Sequence, residues 1–189
     1  FHVDNTPTHS YMKLLYKYPQ REFPYKHLIE ENQRRQGQGP EYELTDTGIF
    51  DEDRYFDIEI EYAKAAYEDL CVRVTVHNRG PEDAPLHVLP HLWFRNTCSW
   101  GATYSASPRI QTLPHGGGGV CLLADDSDVA ADPNIPVQYR VGMRYLFGPA
   151  GGKAMFTDNE TNAAAVFGPG HRSRSAFTKD AFHRYLVGK

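Results

Sequence analysis

Paired carboxylates are the residues here best suited to chemistry. Asp51, Asp53, Asp57, Glu59 and Glu61 fall within one short stretch, and glycoside hydrolysis needs two acidic groups about 5–9.5 Å apart. Same-face strand neighbours two residues apart are about 6.6 Å apart, so the spacing suits that reaction. Any wet strand face offers such pairs, and the spacing alone selects none of them. Asp51-Glu52-Asp53 with Asp57, and Asp125-Asp126-Ser127-Asp128, could gather calcium. Neither fits an EF-hand loop: counting from Asp51, Phe56 stands where Gly is needed and Tyr62 where Glu is needed.

The remaining motifs carry less. Nine histidines invite a metal reading, but His87 and His91 on one strand would be about 13 Å apart, too far to share an ion. A metal-dependent hydrolase built on His87, His91 and Asp51 is therefore a competing reading, with surface or core histidines the plainer one. Ser10-Tyr11-Met12-Lys13 has the S-x-x-K spacing of penicillin-recognising enzymes, yet S-D-N and K-T-G elements are missing. His115-Gly116-Gly117-Gly118 has the form of a lipase oxyanion loop, but no G-x-S-x-G supplies a nucleophile. The densest unusual patch is His91-Leu92-Trp93-Phe94-Arg95-Asn96-Thr97-Cys98-Ser99-Trp100-Gly101, which holds both tryptophans. Aromatic faces beside Arg95 and Asn96 suit a sugar ring, with its apolar C–H faces and rim of hydroxyls. Packing in a core or at a boundary would use the same rings.

The elements that must position these residues are mostly strands. Gly (16) and Pro (13) are frequent in the 189 residues, as are Tyr (12) and Phe (10), a composition that favours β structure. Two helices are expected first. Thr6-Pro7 reads as an N-cap and first position, with Tyr11, Leu14, Leu15 and Tyr18 at helical spacing up to Pro19. The second runs from Pro24 to about Gln36, with Leu28 and Ile29 inward and Glu30, Glu31, Arg34 and Arg35 outward. From Tyr42 the period becomes two. Strands are expected over Tyr55 to Tyr62, Leu70 to His77 and Leu86 to Arg95, forming a meander. Further strands are expected at Val120 to Leu123 and Val137 to Phe147, with a hairpin of Lys153 to Thr157 and Thr161 to Phe167. Pro108 to Gly119 reads as a long loop, and Ala181 to Lys189 as a last strand. The fold class is mainly β, a twisted antiparallel, supersandwich-like β-sandwich with two short N-terminal helices. Residues 1–40 would form a helical segment packed on the sandwich of residues 41–189, giving one domain.

A net charge of −4 excludes the electrostatic footprint of a general nucleic-acid binder. No apolar run is long enough to span a membrane. Three cysteines without a C-x-x-C pair point to a reducing, cytoplasmic compartment, although Phe1 leaves an export signal ahead of it open. No cofactor and no metal are implied. Both ends read as cuts in something larger.

Several segments resemble one family. They are Thr8-His9-Ser10-Tyr11-Met12-Lys13, Tyr16-Lys17-Tyr18-Pro19-Gln20, Glu22-Phe23-Pro24-Tyr25, the run from Asp46 to Asp57, Asn78-Arg79-Gly80-Pro81, and Leu89 to Gly101. Together they resemble the microbial branch of glycoside hydrolase family 63, strongly from Thr6 to Gly101 and again near Lys179 to His183. Cys98 stands where that family usually has Trp. The resemblance implies an N-terminal β-supersandwich followed by a large (α/α)6 barrel, which carries the acid and base of an inverting glucosidase-type hydrolysis. On that basis this chain is expected to be the non-catalytic sandwich module, with the barrel of the same parent chain as its partner. No catalytic carboxylate transfers to any position here. Trp93, Arg95, Asn96, Trp100, Asp51, Asp53 and Arg54 are the candidates for facing the barrel or an oligosaccharide. An independent carbohydrate-binding module is the alternative. Without its barrel, the module is expected to self-associate through an apolar patch and an unpaired strand near Phe182 to Val187.

Overall fold

The computed structural model describes residues 1–94, 107–129 and 140–188. The chain is mainly β, with two antiparallel sheets, and divides into two compact units, Phe1–Val88 and Leu89–Lys189.

The first unit holds a four-stranded sheet of β1 (His2–Asn5), β2 (Tyr11–Pro19), β3 (Tyr55–Ala66) and β4 (Asp69–Asn78), in that spatial order. Register places Tyr16 opposite Ile58 and Ile58 opposite Val76, and likewise Leu14, Ile60 and Val74. Alternation then puts Met12, Leu14, Tyr16 and Tyr18 on one face with Phe56, Ile58, Ile60 and Tyr62, and with Leu70, Val72, Val74 and Val76. Lys13, Lys17, Asp57, Glu59, Glu61 and Arg73 take the other face. Phe56, Ile49 and Pro19 are the buried apolar side chains of this unit. Between β2 and β3 lie the helix α1 (Tyr25–Arg35) and two 3-10 turns, Leu44–Thr47 and Asp51–Asp53.

The second unit holds a three-stranded sheet of β5 (Arg109–Leu113), β6 (Gly119–Asp125) and β7 (Met143–Ala150), followed by the short helices α2 (Ala163–Phe167) and α3 (Ala181–Leu186). Among its described residues, Cys121 and Ala124 are the buried apolar ones. Asp126, also buried, accepts the backbone N–H groups of Val141 (3.0 Å) and Gly142 (2.6 Å), fastening the entry to β7. Asp125 accepts from the Ser127 N–H and Asp128 pairs with Arg109, so this acidic turn is occupied by protein donors.

Strands β3 and β4 and helix α1 form where the sequence places them, although Leu28 is only half-buried and Ile29 is exposed. Several expectations need correction. The first N-terminal helix is strand β2, leaving one helix there. Thr6 does not cap a helix: its Oγ1 accepts the N–H groups of Ser10 and Tyr11 and closes the β1–β2 turn, with His9 at φ 52°. The partner strand β3 decides the matter, because Met12, Leu14, Tyr16 and Tyr18 gain cross-strand neighbours that an isolated helix could not offer. No strand forms over residues 86–94, where Pro85 and Pro90 lack the N–H a ladder needs. The stretch read as a loop contains β5, which pairs with β6 across a glycine turn. The long strand begins at Met143, and Val137 and Tyr139 lie outside the described residues. The hairpin is absent: Asn162 accepts the Ala165 N–H and starts α2 on a run of alanines. The last segment is helix α3, with Phe182, Tyr185 and Leu186 at helical spacing, so no strand edge exists there.

Candidate functional site

Three of the family-like segments, far apart in sequence, meet at one end of the β2–β3–β4 sheet. Antiparallel register brings Pro19 opposite Tyr55 and Phe56 opposite Asn78, so the exit of β2, the entry of β3 and the exit of β4 are neighbours. Backbone bonds tie them together: the Gln20 N–H donates to the Arg54 carbonyl and the Arg79 N–H to the Tyr55 carbonyl, both at 3.0 Å. Gln20 Nε2 donates to Asn78 Oδ1 at 2.7 Å, and that oxygen also accepts the Gly80 N–H. Asn78 Nδ2 reaches the Glu82 carbonyl at 2.7 Å. At Gly80 a Cβ would lie 2.8 Å from Gln20 Oε1, so a larger residue there would displace that side chain.

The charges of this cluster are matched. Asp57 is 7 % exposed and accepts Lys17 Nζ on one oxygen and Arg79 Nε on the other, each at 2.7 Å. The Lys17 ammonium also lies 4.2 Å from the centre of the Tyr55 ring. Burial pushes the Asp57 carboxyl up, but its hydrogen bonds to Lys17 and Arg79 outweigh this and hold it below the ordinary Asp value. Glu52 takes Arg21 at 2.6 Å and Arg54 at 3.4 Å. Arg54 reaches Glu82 at 3.2 Å, and its hydrogen bond to Glu82 raises its own pKa. The ladder continues along the same sheet face. Lys13 meets Glu59 at 3.0 Å, and Glu61 accepts both Tyr11 Oη (2.8 Å) and Arg73, which together lower its carboxyl pKa.

Asp57 and Glu61, with their carboxyls held below the ordinary range, stay ionised at neutral pH and are acceptors, not proton donors. A general acid for glycoside cleavage needs the reverse, a raised pKa. Asp51 and Asp53 sit on the exposed 3-10 turn, where Glu52 (φ 63°) and Asp53 (φ 56°) adopt left-handed backbone. Gly48 (φ 68°) opens that turn, with the Asp51 N–H donating to its carbonyl. Of the sequence candidates, Arg54 therefore joins the cluster, while Asp51 and Asp53 flank it on the solvent side. Lys17, Gln20, Asp57, Asn78, Arg79 and Glu82 complete it. Sequence spacing could not assign them partners, because only strand register does.

Trp93 belongs to the second unit. It is 72 % exposed, with its ring edge-on to His91 at 6.1 Å, and His91 stacks on Phe182 at 6.0 Å. Arg95, Asn96 and Trp100 lie outside the described residues, as does Cys98. Among the described residues, no three His, Cys, Asp or Glu side chains gather where they could hold a metal ion. No helix among them is long and apolar enough to cross a membrane.

No family model matches the chain, and no solved structure matches it. Over 217 aligned positions it is 34% identical to an uncharacterized protein of Saccharomyces cerevisiae, YMR196W. The alignment takes in 99% of this chain and 19% of that protein, so the chain spans about a fifth of its relative's length.

Proposed function

We propose that this chain is a non-catalytic β module of a family 63-type glycoside hydrolase, in which a separate helical barrel of the same parent chain carries the hydrolysis. The observation that carries the reading is the cluster at the sheet end. Three family-like segments converge there, yet the buried carboxylate Asp57 is locked between two cations rather than poised as an acid. Such an arrangement holds backbone segments in place and leaves bond cleavage to groups elsewhere. Two further facts support it. The chain aligns to about a fifth of a much longer protein. The apolar sheet face of the first unit also leaves Tyr16, Tyr18, Val72 and Val74 exposed, a surface of the kind that packs against another module. The isolated chain is expected to release no glucose from α-linked glucosides, and measurable turnover by it would overturn the reading.

Exposed Trp93, propped by His91 and Phe182, favours a second reading, an independent carbohydrate-binding module. Calorimetry against an oligosaccharide panel separates the two. Binding heat that disappears in Trp93→Ala would support the second reading, and no heat at millimolar sugar would support the first.

A further inference from the structure

The outer edge of β4 is the most unusual exposed feature of the first unit. Among the described residues no strand lies beyond it. Nine of its ten residues are exposed, and only Thr75 is half-buried. Natural sheets blunt such edges with short strands, prolines or bulges. The opposite edge follows that rule: β1 has four residues and its register shifts between His2 and Asp4. Strand β4 has ten residues, no proline, and no register shift against β3 between Leu70 and Asn78.

The direction of its backbone groups can be read directly. The Arg79 N–H donates to the Tyr55 carbonyl of β3. Amides alternate along a strand, so those of Cys71, Arg73, Thr75 and His77 also face β3. Those of Leu70, Val72, Val74, Val76 and Asn78 face outward, with nothing among the described residues paired to them as a strand.

We infer that β4 is a self-pairing edge, which joins the β4 of a second copy antiparallel about a two-fold axis at Val74. Three constraints select that register. The outward-facing amides lie on even-numbered residues, so the pair must match even-numbered residues with even-numbered ones, which a two-fold axis at any single residue of the strand allows. Centring on Val74 overlaps the whole of residues 70–78, whereas any other centre would leave part of that stretch unpaired. Charge agrees with length. Centred on Val74, Arg73 faces Thr75, Cys71 faces His77 and Val72 faces Val76, so no like charges are opposed, while Asp69 faces Arg79 of the second copy, whose guanidinium also donates to Asp57 of its own copy. Centred on Val76, Arg73 would face Arg79, a like-charge pair that destabilises the sheet. The pairing extends the apolar row Leu70, Val72, Val74 and Val76 across the dimer on one continuous face. It uses main-chain groups that the proposed carbohydrate function does not involve.

The native thiol of Cys71, exposed on this strand, makes the register testable in the full 189-residue chain. In a Cys98→Ser background, His77→Cys places a second thiol directly opposite Cys71 in a non-hydrogen-bonded pair. The Cα separation there is about 4.5 Å, within the roughly 4.4–6.8 Å span of a disulfide. Mild oxidation is expected to yield a covalent dimer in which peptide mapping finds Cys71 of one copy joined to the introduced thiol at position 77 of the other. Thr75→Cys, facing Arg73 instead, is expected to give no bond to Cys71. Val74→Pro removes the two central inter-copy hydrogen bonds yet spares the β3 ladder, because that N–H faces outward. It should weaken dimerisation measured by sedimentation by about tenfold or more. A His77→Cys protein that remains uncrosslinked, equal crosslinking from Thr75→Cys, or unchanged association in Val74→Pro would each overturn the inference.

Discussion

Asp57 shows how one residue's meaning changes between sequence and structure. In the sequence it is one acid among five, at a spacing that could serve hydrolysis as well as a wet strand face. In the fold it is buried between Lys17 and Arg79 at 2.7 Å each. No sequence interval announces that pairing, because Lys17 comes from β2 and Arg79 from the exit of β4. Its carboxyl pKa is depressed on folding, so its contribution to stability is present above the unfolded Asp value of about 3.9. That contribution is lost as pH falls through the lower, folded value. Asp57→Asn should therefore flatten the acid limb of a stability–pH curve and lower stability at neutral pH by about 1–3 kcal/mol. The range lies below that for a fully buried pair because Lys17 and Arg79 keep 26% and 49% side-chain exposure. Urea unfolding followed from pH 3 to 7 measures both effects. Glu31, half-buried on α1, behaves similarly: hydrogen bonds from Arg34 and Arg35 hold it at about 2.

Among the elements, those with a clean period of two could be read from the sequence, and those with mixed signals could not. In β3 the apolar residues Phe56, Ile58, Ile60 and Tyr62 alternate without interruption with charged or polar ones. In β2 the extra Leu15 beside Leu14, together with Tyr11 and Tyr18, mimics a helical stripe. Only pairing with β3 reveals that Leu14 and Leu15 point to opposite faces. The glycines before β6 similarly hid β5, since four in a row suggest a loop and not a hairpin turn. One of them is required by contact. At Gly119 a Cβ would lie 2.6 Å from the backbone carbonyl of Gly148, where β6 begins its pairing with β7. Gly119→Ala should push those strands apart and destabilise the second unit by about 1–3 kcal/mol, with little effect on the first. Hydrogen exchange resolved by residue would show faster exchange along β6 and β7 and unchanged protection in β3.

For the whole molecule, two antiparallel sheets leave a large apolar area uncovered within the described chain. Tyr16, Tyr18, Val72 and Val74 stay exposed in the first unit, and Met143, Tyr145 and Phe147 in the second. Surfaces of this kind mark places where other protein packs. That fits the proposed non-catalytic module, whose buried carboxylate Asp57 is held by its own cations. The segments on which the proposed family resemblance rests stand out in the sequence as short motifs. Their convergence at one sheet end was not legible there, since it depends on the register of β2, β3 and β4. The central claim is that this chain contributes structure and not bond cleavage, and the most direct test is glucose release from a panel of α-linked glucosides. The account predicts no release by the purified 189-residue chain above the buffer rate. Saturable release by the isolated chain, abolished by Asp57→Asn in a protein that still folds, would contradict it.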